Sequence, residues 1–142
     1  IKNPKLAEEI FGPYSILVKC KNIEELNHIL STLDGQLTGT VLGIEDEIES
    51  FDFSISQLEK RVGRLIFNGV PTGVEVCSSM QHGGPYPASS DSRFTSVGTM
   101  AIKRFTRPVA FQSWPDSRLP DELKNNNPLN IWRLINGDFI KD

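Results

Sequence analysis

Apolar residues in the first half of the chain switch between strand-like runs and helical stripes. Tyr14-Ser15-Ile16-Leu17-Val18 is a short, partly β-branched run behind the Gly12-Pro13 breaker, which predicts a buried strand over Tyr14–Cys20. Asn22-Ile23-Glu24-Glu25 carries a capping-box pattern: Asn22 can accept from a first-turn amide and Glu25 can reach back. Ile23, Leu26, Ile29, Leu30 and Leu33 then share one helical face, and Gly35 stands where a left-handed C-cap is expected. Leu37–Ile44 reads as a second strand, with Gly39 and Gly43 leaving room for a neighbouring backbone. Glu45, Asp46, Glu47 and Glu49 complement the positive end of a second helix, whose stripe is Ile55, Leu58 and Val62. Arg64–Phe67, closed by Asn68-Gly69, is the third strand. Strand, helix, strand, helix, strand with crossovers of this length predicts an α/β fold, a parallel βαβαβ sheet with right-handed connections.

The second half lacks this rhythm. Residues 78–94 read as one long loop, and long loops in compact domains are usually functional or disordered. Thr95–Arg104 predicts a short helix with Val97, Met100, Ala101 and Phe105 inward, stopped by Pro108 ahead of a last strand at Val109-Ala110-Phe111. From Trp114 onward, Pro115, Pro120, Pro128 and the Asn125-Asn126-Asn127 run predict an irregular, surface-wrapping tail whose one apolar patch is Ile131, Trp132, Leu134 and Ile135.

Composition narrows the function classes. A chain of 142 residues is in the size range of one domain, and 38% hydrophobic residues make an ordinary globular composition. Net charge is −3, with no basic footprint for nucleic acid and no apolar run long enough to cross a bilayer, so neither partner is expected. The acids concentrate in residues 1–62 (11 acids, 6 bases) and the bases in residues 63–142 (7 acids, 9 bases). Two cysteines and no Asn-X-Ser/Thr sequon make the cytoplasm the default compartment. The chain starts at Ile1 without methionine, and it is expected to be part of a longer protein, with apolar surfaces turned toward the remainder.

Most generic chemistries find no support in the residues. A Cys/His nucleophile would need Cys20 or Cys77 beside His28 or His82; plain strand-edge thiols are the commoner state, and a small hydrolase built on Cys77 and His82 is the weakest of the enzyme readings. There is no CxxC or HxxxH spacing for zinc and no glycine-rich phosphate cradle, so no metal site is expected. Glu8-Glu9-Ile10-Phe11-Gly12-Pro13 says more: a carboxylate pair, an aromatic ring and a Gly-Pro turn lie directly ahead of a strand. The hexapeptide resembles the Glu-Glu-Ile-Phe-Gly-Pro motif of the aldehyde dehydrogenase superfamily, and the predicted element order follows that family from about Asn3 to Gln112. Asn68-Gly69-Val70-Pro71-Thr72-Gly73-Val74-Glu75-Val76-Cys77, His82-Gly83-Gly84-Pro85-Tyr86-Pro87-Ala88-Ser89 and Arg93-Phe94-Thr95-Ser96-Val97-Gly98-Thr99 resemble its 2-oxoglutarate semialdehyde (2,5-dioxopentanoate) dehydrogenase branch. Pro85-Tyr86-Pro87-Ala88 departs from the commoner Pro-Phe-Gly-Gly string of the superfamily.

The resemblance implies the C-terminal part of a catalytic domain in which a thiolate attacks an aldehyde and a hydride passes to NAD or NADP. By match to the motif, Glu9 would bond the nicotinamide ribose hydroxyls and Phe11 would pack on the nicotinamide ring. His82, Tyr86, Ser90 and Arg93 are the polar candidates of the substrate loop, an arginine being suited to the carboxylate of an acidic semialdehyde. The family's Gly-Gln-x-Cys nucleophile and Glu-Leu-Gly-Gly base strings do not occur, so no catalytic residue is assigned and the chain alone is expected to be inactive. Residues 1–106 are expected to form the partial catalytic unit. Residues 107–142 are expected to supply an oligomerisation strand near Arg107–Gln112 and the tail, making the rest of the parent chain and further copies of it the partners, besides a small aldehyde. The rival from another class is an independent, non-catalytic binding or assembly module on the same fold.

Overall fold

The computed structural model describes residues 4–71, 73 and 75–141. Ile1, at which the chain starts, and Thr72 and Val74 of the 68–77 string lie outside the described residues. Inter-residue contacts gather into two units, Ile1–Thr106 and Arg107–Asp142.

In the first unit Asn22 caps the helix as its pattern requires, while Glu25 reaches one residue past the cap. Asn22 Oδ1 accepts the Glu25 N–H at 2.9 Å, and the Glu25 carboxylate accepts the Lys21 N–H at 2.7 Å, starting helix α1 (Ile23–Thr32). The helix ends on an extended Leu33 (φ −69°, ψ 139°), not on a left-handed Gly35. Gly35 is needed for another reason: a Cβ there would run into the backbone carbonyl of Pro85, and its N–H bonds the Tyr86 carbonyl at 3.3 Å.

Strands β1 (Gln36–Val41) and β2 (Val62–Phe67) are parallel, with Gln36 opposite Val62 and Val41 opposite Phe67. The acidic stretch forms a 3₁₀ turn, Glu45–Phe51, that feeds helix α2 (Asp52–Glu59). Helix α2 packs on both strands and on α1, and the buried Ser54 hydroxyl donates to Asn27 Oδ1 at 2.6 Å between the helices. Val62, expected on the helical stripe, is the first residue of β2 and buried, because α2 stops at Glu59. Gly39 faces Val62 and Leu58 side chains, which a Cβ would press, whereas Gly43 has open space around it.

Asn68 closes the sheet. At φ 47°, it donates Nδ2 to the Gly43 carbonyl (2.8 Å), accepts the Gly43 N–H on Oδ1 (2.9 Å) and gives its own N–H to the Val41 carbonyl (2.8 Å). The side-chain amide thus extends the ladder past the point where the two strands end.

Three expected elements do not form. Residues 14–20 are not a strand and the sheet of this unit has two strands, β1 and β2, among the described residues. The hydrophobic run satisfies strand propensity, but a strand also needs a neighbour for its N–H and C=O groups, and Leu17 is left 96% exposed. Residues 99–105 form a 3₁₀ helix, not the longer helix from Thr95, since the buried Thr95 hydroxyl accepts the His82 N–H (2.8 Å) and donates to the Val97 carbonyl (2.7 Å), holding the loop in place. Met100 and Phe105 are exposed instead of inward. Val109-Ala110-Phe111 is irregular and exposed, again without a pairing partner.

The second unit is more ordered than an irregular tail. Strands β3 (Arg133–Ile135) and β4 (Asp138–Ile140) form an antiparallel hairpin over Asn136-Gly137, both at positive φ (53° and 98°), as a two-residue type I′ turn demands. Buried Asn127 is its hub, accepting the Ile131 N–H (3.1 Å) and donating to the Ile131 (3.0 Å) and Lys141 (3.4 Å) carbonyls. Trp132 stacks on Phe139 at 6.0 Å, and both rings remain exposed.

The surface is too large for a closed domain. A folded monomer of 15.9 kDa is expected to expose about 7,400 Å². This chain exposes 11599 Å², and among the described residues Val62, at 9% exposure, is the one buried hydrophobic side chain. A cleft of about 450 Å³ between the helices and the C-terminal strand ends is lined by Leu26, Leu30, Leu42, Ile48, Phe51 and Phe67, a space that close-packed interiors fill.

Candidate functional site

Two places carry the residues singled out by the sequence. The first is the turn that follows the 3₁₀ segment Pro4–Ala7. The Tyr14 N–H bonds the Gly12 carbonyl at 2.7 Å, bending the chain so that Glu9 and Phe11 line one shallow concavity with Tyr14 and Ile16. Phe11 is 97% exposed, with an open ring face, and Glu9 makes no hydrogen bond or ion pair among the described residues.

The second place is the loop. Its backbone crosses the starts of both strands at Gly83-Gly84: a Cβ on Gly84 would meet the Gln36 carbonyl, and one on Gly63 would meet the carbonyl of Gly83. Ser89 ties the loop to itself, its hydroxyl donating to the Gly84 carbonyl (2.5 Å) and accepting the Gly84 N–H (3.2 Å). The His82 backbone is pinned at both ends: its N–H bonds Thr95 Oγ1, and its carbonyl accepts the Ser96 N–H (2.9 Å) and hydroxyl (2.8 Å). His82 therefore lines, together with Ser90, Asp91, Phe94, Leu37 and Arg104, an open cleft of about 540 Å³.

The four loop candidates separate. His82 and Ser90 share the cleft, whereas Tyr86 is 82% exposed and Arg93 is not among the lining residues. Arg93 is committed to Asp91: Nε donates at 2.9 Å to Oδ1 and at 3.2 Å to Oδ2, and Nη2 reaches Oδ2 at 2.6 Å. Asp91 Oδ1 also accepts the Arg93 N–H at 3.0 Å, an Asx turn that the spacing Asp-Ser-Arg makes available. The side-chain bond from Arg93, then the backbone one, lowers the Asp91 carboxyl from its ordinary 3.8 to about 2, and the same pairing raises the Arg93 guanidinium. A depressed carboxyl favours the folded loop above pH 4 and loses that advantage as pH falls toward 2. The pair is exposed and stabilises little. NMR titration is expected to place the Asp91 midpoint near 2 and to return it toward 3.8 in Arg93→Gln; an unshifted wild-type midpoint would remove the pairing.

Arg104, Asp91 and Thr95 were not singled out by sequence. Asp91 carried the one available signal, its Asx-turn spacing, whereas Arg104 lies outside the loop and reaches the cleft through tertiary packing. The Cys77 thiol has Ser79 Oγ at 3.5 Å and no bond to His82, so the hydrolase pair is not assembled. Among the described residues no group of three or more His, Cys, Asp or Glu is placed to hold a metal ion, and no helix is long and apolar enough to cross a membrane.

No family model matches the chain. Over 135 residues, 95% of its length, it is 50% identical to the alpha-ketoglutaric semialdehyde dehydrogenase of Acinetobacter baylyi. Over 137 residues, 96% of its length, it is 46% identical to alpha-ketoglutaric semialdehyde dehydrogenase 2 of Azospirillum brasilense. Each match covers 26% of the relative, so the chain spans about a quarter of the length of these curated relatives. Over nearly all of its own length, then, the chain is similar to part of the alpha-ketoglutaric semialdehyde dehydrogenases, which bears out the resemblance carried by the Glu8–Pro13 hexapeptide and the 68–99 strings.

Proposed function

We propose that this chain is the C-terminal portion of an NAD(P)-dependent aldehyde dehydrogenase that oxidises an acidic semialdehyde, 2-oxoglutarate semialdehyde first among them. The observation that carries this reading is the 46–50% identity maintained over nearly the whole chain. The excess surface agrees with it: an incomplete unit leaves apolar faces for the rest of the protein.

Residues of the N-terminal turn fit the nicotinamide riboside end of the cofactor, because an aromatic face and an unpaired carboxylate stand open side by side. NAD(P), when bound, supplies the hydride acceptor. Glu9 would accept hydrogen bonds from the vicinal ribose hydroxyls, and Phe11 would offer its face to the ring, limiting the orientations from which hydride could be taken. The loop cleft receives the polar end of the aldehyde. The nucleophilic thiol and the general base come from the remainder of the parent chain, so residues 1–142 alone turn nothing over. Residues 1–106 contribute to the catalytic domain and residues 107–142 to association between copies, in a cytoplasmic enzyme.

The test is the full reading frame, expressed and assayed with 2-oxoglutarate semialdehyde and either nicotinamide cofactor. Reduced cofactor is expected from the full-length protein and none from residues 1–142. A full-length protein that oxidises no acidic semialdehyde with either cofactor would be the non-catalytic module.

A further inference from the structure

The cleft between the 82–96 loop and β1 combines several kinds of side chain within one unit of the chain. Its lining includes the apolar Leu37 and Phe94, the hydroxyls of Ser90 and Ser96, His82, and Arg104. The only acid in the lining, Asp91, has both carboxylate oxygens engaged by Arg93 and is electrostatically spent. Arg104 makes no ion pair among the described residues, so the lining keeps one uncompensated cation together with apolar side chains.

A ligand matching this pattern has a carboxylate at the end of a short methylene stem. We propose that Arg104, and not Arg93, is the residue that binds the distal carboxylate of an acidic aldehyde in this cleft. The stem lies against Leu37 and Phe94, and the Ser90 hydroxyl donates to the carboxylate oxygen that the guanidinium leaves free. Arg93 serves the cleft indirectly, by neutralising Asp91 and so removing the charge that would repel the ligand. As a statement about the aldehyde, this rests on the dehydrogenase reading; as a statement about carboxylate binding, it stands on the cleft.

The experiment uses the full-length protein and glutarate as the probe, a carboxylate on a methylene stem that needs no turnover to bind. Arg104→Gln is expected to weaken glutarate about 10- to 100-fold, the size of a lost charge-assisted bond. Arg104→Lys, which keeps the charge, should retain part of that affinity. The KM for an ω-oxo carboxylate should rise by a similar factor, while kcat/KM for pentanal stays within about twofold of wild type. Arg104 is exposed and unpaired, so thermal melting should be unchanged. Equal glutarate affinity in wild type and Arg104→Gln, absent glutarate binding in wild type, or parallel losses for both aldehydes would overturn the assignment. If no aldehyde is oxidised but Arg104→Gln still loses glutarate, the dehydrogenase reading fails and the carboxylate site remains.

Discussion

Glu9→Gln in the full-length protein is expected to reduce kcat/KM for the nicotinamide cofactor about 10- to 100-fold. Two vicinal hydroxyls need two acceptors, and the carboxylate has them, whereas the amide keeps one acceptor and turns a donor toward the other hydroxyl. Losing a charge-assisted bond costs about 1.5–3 kcal/mol, which corresponds to that range. Part of the loss should fall on kcat, because a loosely held ribose lets the ring leave its reactive orientation. Glu9 is exposed and unpaired, so the variant should melt with the wild type. Glu24→Gln, an exposed carboxylate of helix α1 that does not line this concavity, is the control and should change kinetics less than about twofold. Equal effects at the two positions, measured by steady-state kinetics against cofactor concentration, would show a general charge effect and remove the specific role.

Gly63→Ala is the second large effect, and it acts on stability. Gly63 sits near the start of β2, where the loop backbone passes so closely that a Cβ would occupy the space of the Gly83 carbonyl and crowd Gly84 Cα at 2.9 Å. Neither neighbour is a flexible side-chain tip, so the loop must lift from the strand. Overpacking of this kind costs about 3 kcal/mol. The urea midpoint of the full-length protein should fall accordingly, and glutarate binding should fall with it, since the displaced Gly83 itself lines the cleft. Gly43→Ala is the control: nothing lies within 4 Å of its Cβ position, and it should be close to neutral. A Gly63→Ala protein as stable as wild type would mean that the loop does not rest on β2.

How much of this was legible in the sequence depended on the range of the interaction. Helix α1 was readable because Asn22 caps the first-turn Glu25 amide and Glu25 reaches back to the Lys21 amide, all within four residues, and β2 because an apolar run ends at Asn68, whose side chain finishes the ladder. The Asn136-Gly137 hairpin was readable in principle from its dipeptide, the strongest short signal for a type I′ turn, but the surrounding asparagines and prolines pointed to an irregular tail. Residues 14–20 and 109–111 show the limit in the other direction. Their composition favours strand, yet pairing is a property of two segments, and a single segment cannot specify its neighbour.

The candidate site divides along the same line. Sequence alone determined the local features: the capped helix, the order of helices and strands from α1 through β2, the Glu9 and Phe11 turn, and a motif pattern close enough to place the chain beside its relatives. Only the tertiary structure decided that Gly35, Gly63 and Gly84 are required for contact between loop and strands, and that Arg104 lines the cleft with His82 and Ser90. The physical reason is distance along the chain. Caps and Asx turns satisfy backbone groups within a few residues and leave a readable spacing, whereas a glycine opposite a carbonyl twenty residues away, or a guanidinium left without a partner, is defined by what the folded backbone brings next to it.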